Sequence, residues 1–277
     1  MSGAPDPVVL IHGAWQGAWV WDHFKSHLVR KAGIAAVAVD LPGNGRDDVT
    51  PTDVSLDRYV VHVGEILEQF AQPVSLVAHS GGGMIASAVA ERFPERINRI
   101  VYIAGMMLPD GMAFADLVAE LRADHPDVIG IGPHLVWSDD GLTSRVPAPA
   151  ALAYFFHDCA DGDARAAAAR LTPQPERGRD IRVGLTSERF GRVSRLYVEA
   201  EADRSIILPC QRRMQALVPG ADVVTLPTGH APHLAAPGLL ADVLIPFLID
   251  DRGTPLALSG HGGEASVVHQ SRSGGLE

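Results

Sequence analysis

Short, unbroken apolar runs alternating with segments of helical periodicity constrain this chain more than any other feature. Val8–Ile11 is one such run and ends in His12-Gly13. Residues 17–31 then carry Trp19, Val20, Phe24, Leu28 and Val29 at helical spacing, and Gly33 punctuates the chain. Residues 34–39 read as a second buried strand, closed by Asp40-Leu41-Pro42-Gly43. A helix is predicted over 55–70, opened by Ser55 as N-cap. Pro73 leads into a strand at 74–78, a small-residue helix follows at 81–93, and another strand at 97–104. Strands of this kind, apolar on both faces and separated by helices, specify a parallel sheet covered on both sides.

The alternation breaks after Gly105. From Met106 to about residue 190 the chain is rich in Pro, Asp and Ala, with one helical piece at 164–171. Alternation resumes with a strand at 195–200, a helix at 209–217, a strand at 222–226 and a helix at 237–249. The expectation is one α/β domain over residues 1–250, with 106–190 inserted as a cap over the sheet. Residues 251–277, rich in Gly and Ser, read as a mobile tail.

Charge and composition remove several function classes. A formal net charge of −10 argues against binding nucleic acid by phosphate neutralisation. No apolar run approaches the roughly 18 residues needed to span a bilayer. The first residues have neither a basic region nor a long apolar stretch, so a cytoplasmic location is the expectation. The two cysteines, Cys159 and Cys210, match no metal spacing. With no Gly-rich phosphate loop and no clustered ligands, neither a cofactor nor a metal is expected.

Ala78-His79-Ser80-Gly81-Gly82 lies between a predicted strand and a predicted helix. It varies the G-x-S-x-G nucleophile elbow, in which small residues flank a serine because the turn is sharp and the helix approaches the strand closely. A serine needs a base at neutral pH. In the chain order of such sites the acid comes next and the histidine last. His230 directly follows the strand ending at Leu226, with His233 as its rival. Asp203 is the favoured acid beyond the strand at 195–200. Glu201 is second, Glu199 lies within the strand, and Asp110 is an outside alternative. The oxyanion would take the N–H of Gly81 and that of Ala14, in the loop after the first strand. His12 and His79 read as loop-shaping residues. Trp15, Trp19 and Trp21 cluster near that loop, with Trp15 a candidate pocket wall. Met106, Met107 and Met112 are candidates for an adaptable apolar lining.

These segments resemble the branch of the α/β-hydrolase superfamily that contains plant methyl esterases, hydroxynitrile lyases and bacterial carboxylesterases of the pyrethroid-hydrolase type. The resemblance rests on His12-Gly13-Ala14 with Gly17-Ala18-Trp19, on Asp40 to Gly45, and on Ala78 to Gly82. It extends to Tyr197-Val198-Glu199-Ala200 with Asp203, and to Gly229-His230-Ala231-Pro232-His233. It implies a triad of Ser80, Asp203 and His230, oxyanion donors at Ala14 and Gly81, and a small-molecule carboxylic ester as substrate. Lyases of this branch carry a lysine where this chain has Ala231 and a threonine where it has Gly13, which weighs against cyanohydrin cleavage. Asn44 stands where a histidine is usual. Hydrolysis of a lactone, amide or carbon–carbon bond on the same triad is the alternative chemistry, and a ligand receptor of this fold is the alternative outside catalysis.

Overall fold

The computed structural model describes residues 5–250. The tail expected at 251–277 lies outside them. The chain runs β1 (Val8–Ile11), α1 (Asp22–Ala32), β2 (Ala36–Ala38), α2 (Leu56–Leu67), β3 (Val74–His79), α3 (Gly82–Arg92) and β4 (Ile97–Ile103). There follow α4 (Phe114–Leu121), β5 (Val136–Trp137), β6 (Thr143–Arg145), α5 (Ala148–Tyr154), α6 (Asp161–Ala169) and β7 (Gln174–Pro175). The last elements are β8 (Ser194–Ala200), α7 (Leu208–Leu217), β9 (Ala221–Leu226), α8 (Pro232–Ala235) and α9 (Pro237–Ile249).

Six strands form one sheet in the order β2-β1-β3-β4-β8-β9, and every neighbouring pair is parallel. The strands are apolar at successive positions because both faces are covered. Val9 and Ile11 of β1, Leu76 and Ala78 of β3, and Ile100 and Tyr102 of β4 pack on one face with Val63, Val89 and Met214 of α2, α3 and α7. The intervening Leu10, Val77, Val101 and Ile103 pack on the other, with Phe24 and Leu28 of α1 and Leu240 and Leu244 of α9. This two-residue alternation divides the core between two helical layers.

Local signals set the boundaries. Ser55 caps α2 by accepting the Arg58 N–H at 3.1 Å, a bond worth about 1 kcal/mol. Gly33 ends α1 at φ +64°, a left-handed conformation that costs glycine little. Two expectations need correcting. The strand read as buried at 34–39 is the three-residue edge strand β2, with Val37 37% exposed, because it has a neighbour on one side only. The helix read over 17–31 is a 3-10 turn at Ala18–Trp21 followed by α1. There Asp40 takes the Ala18 N–H at 2.7 Å.

Between β4 and β8 the chain is more regular than its composition suggests. β5, β6 and β7 form a small antiparallel sheet. α5 and α6 enclose a third apolar cluster built on Phe155, Phe156, Ala151 and Ala167, which also takes in Trp15 and Ala231. The helix expected at 164–171 begins earlier, at Asp161. Asp161 and Asp163 lie in its first turn, where the helix dipole favours negative charge. Among the described residues, no helix is long and apolar enough to cross a membrane.

Candidate active site

The turn from β3 into α3 is sharp because its backbone is held there. Ser80 adopts φ +52°, a left-handed conformation rare for a side chain with a Cβ; such a residue costs about 1–3 kcal/mol unless its surroundings enforce it. The Ser80 N–H donates to Ile103 O at 3.2 Å, and Ser80 O accepts from Gly83 N at 3.0 Å and Met106 N at 2.8 Å. Glycine permits the close packing around it. A Cβ on Gly82 would lie 2.5 Å from His12 O, and one on Gly13 would lie 2.9 Å from the Ser80 Cβ. The small residues read from the sequence are therefore a consequence of α3 and the β1 loop pressing on the same turn.

Ala14 and Gly81 approach each other across this turn: a Cβ on Gly81 would lie 4.0 Å from Ala14 N. Among the described residues, neither the Ala14 nor the Gly81 N–H donates to a protein acceptor. Both groups line a cavity of about 800 Å³ together with Ser80. Two unspent backbone N–H groups beside a serine are what an oxyanion requires.

His230 and Asp203 are brought together. The His230 Nδ1–H donates to Asp203 Oδ2 at 2.7 Å, and both residues are buried. Asp203 Oδ1 accepts from Ser205 N at 2.7 Å and Ile206 N at 3.0 Å. A carboxylate can only accept, so the proton sits on Nδ1 and the Nε2 lone pair is left free to act as a base. The hydrogen bonds of this structure do not include one between Ser80 Oγ and the imidazole. Such catalytic bonds are often long before substrate is bound and close in the complex. The two loops are nevertheless tied, since the His79 Nε2–H donates to His230 O at 2.7 Å.

The other candidate acids are engaged elsewhere. Glu199 binds Arg212, Gln215 and Thr225; Asp110 accepts the Leu185 N–H at 2.8 Å; Glu201 is exposed. His233 has no hydrogen-bond partner on either ring nitrogen and packs between Trp21 and His79, with ring centroids 4.6 Å and 4.5 Å away.

Trp15 and Met106 line the cavity. Met107 does not. It is fully buried in the apolar core that also holds Tyr102 and Met84. Trp21 is core and Trp19 carries the Arg170 guanidinium on its ring at 4.6 Å, so both serve packing. Cys159 and Cys210 are free thiols. Among the described residues, no group of three or more His, Cys, Asp or Glu could hold a metal ion.

Two site residues carried no sequence signal. Phe155 stacks on His230 with centroids 5.1 Å apart and on Trp15 at 6.0 Å. Asp158 accepts the Gly229 N–H at 2.5 Å, one residue before the histidine. Both come from the segment between β4 and β8, where short elements have no readable period.

His12, His79 and His233 are held neutral by burial. His12 is pushed down to about 4 and His233 to about 3. His79 falls well below its usual value, by burial first and then by His233 and His230 beside it. The unfolded chain binds protons at these sites near pH 6.5 while the folded chain does not, so stability is complete above that pH and is lost on acidification. The urea midpoint is expected to fall between about pH 7 and about pH 5, with His233→Met making the fall shallower by about one proton. Parallel pH profiles for wild type and variant would contradict this.

A model of the Alpha/beta hydrolase family matches residues 8–243, which is most of the sequence. The chain belongs to that family. Among its relatives is a protein named putative methylesterase 14, chloroplastic, from Arabidopsis thaliana. It is 28% identical over 86% of this chain and 70% of its own length. Esterase PIR7B of Oryza sativa subsp. japonica is 29% identical over 88% of this chain and 96% of its own. In three dimensions the chain is similar to a pyrethroid hydrolase from Sphingobium faniae JZ-2. That likeness has a TM-score of 0.76 at 24% identity, over 88% of this chain and 97% of that one. It extends through the same α/β framework.

Proposed function

We propose that this hydrolase is a serine carboxylesterase that cleaves a fairly apolar ester of a small or medium-sized acid through an acyl-enzyme on Ser80. The observation that carries the reading is a serine on a left-handed turn, opening on one cavity beside the two unspent N–H groups of Ala14 and Gly81. Ester chemistry is supported by the relatives named methylesterase and esterase. An apolar substrate is supported by the cavity walls, where Met84, Ile85, Phe114, Val118 and Ile181 line the same space as Ser80. Its volume of about 800 Å³ suits a ligand of small to moderate size.

The chemistry follows from these groups. Ser80 Oγ attacks the ester carbonyl carbon while its proton passes to His230 Nε2. The carbonyl π-electron pair moves onto oxygen, and the N–H groups of Ala14 and Gly81 hold the resulting negative charge. Collapse re-forms the carbonyl and breaks the bond to the alcohol, which leaves with the proton from His230. Water then repeats the sequence on the acyl-enzyme. Asp203 keeps the imidazole in the basic tautomer and stabilises the imidazolium without itself taking the proton. Within a single hydrolase domain over 1–250, we assign 106–190 the role of a cap that shapes the acyl and alcohol sites.

The test is a p-nitrophenyl ester series from acetate to laurate, run beside a lactone, an amide and an aromatic cyanohydrin. Turnover is expected for the esters, greatest at short to medium chain length, and absent for the cyanohydrin. Cyanohydrin cleavage exceeding ester hydrolysis would contradict the reading. So would tight ligand binding without turnover, the signature of a receptor.

A further inference from the structure

We propose that Gln174, in strand β7 of the cap, is a positioning residue for the oxyanion loop. The inference rests on the esterase reading above and adds a part of the molecule to it. Ala14 is followed by Trp15, a residue with a large side chain at φ +62°. A backbone in that conformation stays there only when neighbours over-determine it. Here the neighbours come from the cap. The Trp15 N–H donates to Gln174 Oε1 at 3.0 Å, Trp15 O accepts from Thr172 N at 2.9 Å, and the indole N–H donates to Ser144 Oγ at 3.0 Å.

These bonds bear on the Ala14 N–H through two peptide planes. The plane before Ala14 is fixed by the His12 Nδ1–H, which donates to Gly13 O at 2.7 Å. His12 has that proton because its Nε2 accepts the Leu41 N–H at 3.1 Å. The plane after Ala14 carries the Trp15 N–H and is fixed by Gln174. Its Oε1 also accepts from Asn44 Nδ2 at 3.0 Å, and its amide NH2 donates to Pro175 O at 3.0 Å and to Tyr59 OH at 3.5 Å. The side chain is buried and both ends are engaged, so its oxygen is held facing Trp15. Removing that acceptor frees the plane beside the oxyanion donor and leaves Ser80, His230 and Asp203 untouched.

The experiment compares wild type, Gln174→Met, Gln174→Glu and Ser80→Ala on p-nitrophenyl butyrate, with a trifluoromethyl ketone as inhibitor. Ser80 Oγ adds to the ketone carbonyl carbon as its proton passes to His230 Nε2 and the carbonyl π-pair moves onto oxygen, which places the oxyanion in the hole, whereas KM reports substrate in its ground state. For Gln174→Met, kcat is expected to fall by about 10- to 100-fold with KM within about threefold. Affinity for the ketone should fall by the same factor as kcat/KM. Gln174→Glu keeps an acceptor oxygen and, when protonated, a donor as well, so its kcat relative to wild type at each pH should rise as pH falls.

An unchanged kcat in Gln174→Met, or a loss that appears in KM and spares the ketone, overturns the proposal. Should that variant not fold, Gln174→Glu decides alone, and a pH-independent ratio to wild type overturns it. Ser80→Ala separates the two levels. Retained turnover there removes the esterase reading itself, whereas abolished turnover with an unaffected Gln174→Met removes only the role of Gln174.

Discussion

Replacing Ser80 by alanine is expected to lower ester turnover by at least about 10⁴-fold, a barrier increase of about 5.5 kcal/mol. The size follows from what the hydroxyl does. It is the nucleophile of the proposed acyl transfer, so its removal takes away the first step of the acyl-enzyme route. What survives is the proposed pair of oxyanion donors, Ala14 and Gly81, which can still assist attack by water and so sets a floor above the uncatalysed rate. Substrate affinity should change little, because the apolar walls of the cavity are untouched. The strained backbone also predicts a small side effect on stability. Alanine has the same Cβ as serine at φ +52°, so the conformational cost stays and the midpoint of unfolding should move little. Steady-state kinetics and a urea titration on the same preparation check both halves.

Asp203→Asn is expected to cost about 10⁴-fold in kcat while leaving the fold intact. The carboxylate accepts on both oxygens, from His230 Nδ1–H on one and from the Ser205 and Ile206 amides on the other. Asparagine has one acceptor to offer. The two backbone N–H groups will keep the oxygen, and the NH2 then faces the imidazole. Donating to Nδ1 moves the ring proton to Nε2, where it blocks acceptance of the serine proton. The variant is isosteric and replaces a buried charge, so the loss lies in tautomer rather than packing. A kcat within tenfold of wild type, measured across the pH range, would remove Asp203 from the role given to it.

The framework was legible because parallel strands buried on both faces write an unbroken apolar signal. Val8–Ile11 and residues 100–104 stand out for that reason, and Ser55 and Gly33 mark helix ends by chemistry that sequence displays directly. The serine turn was legible too, since a Cβ on Gly82 would lie 2.5 Å from His12 O and 2.9 Å from Ile11 O. The region between β4 and β8 was not. Its strands are two or three residues long, too short for a period, and its role at the site depends on contacts made across long separations in the chain. Gln174 meets Trp15 from 159 residues away, and Asp158 meets Gly229 from 71. Met107 was misread because its place in the core is decided by tertiary packing that the local sequence does not display. Edge strand β2 was overread because residues 34–39 are apolar, although one of its two edges has no neighbouring strand.

The most direct measurement is intact-protein and peptide mass spectrometry after reaction with a p-nitrophenyl N-alkylcarbamate. Attack by the nucleophile forms a carbamoyl-enzyme, releases p-nitrophenol and leaves an adduct that hydrolyses slowly. The account predicts one carbamoyl group per chain, on the peptide containing Ser80, with labelling slowed by orders of magnitude in His230→Ala. A carbamoyl group on a different residue, or ester turnover by a chain that never carries an adduct at Ser80, would contradict it.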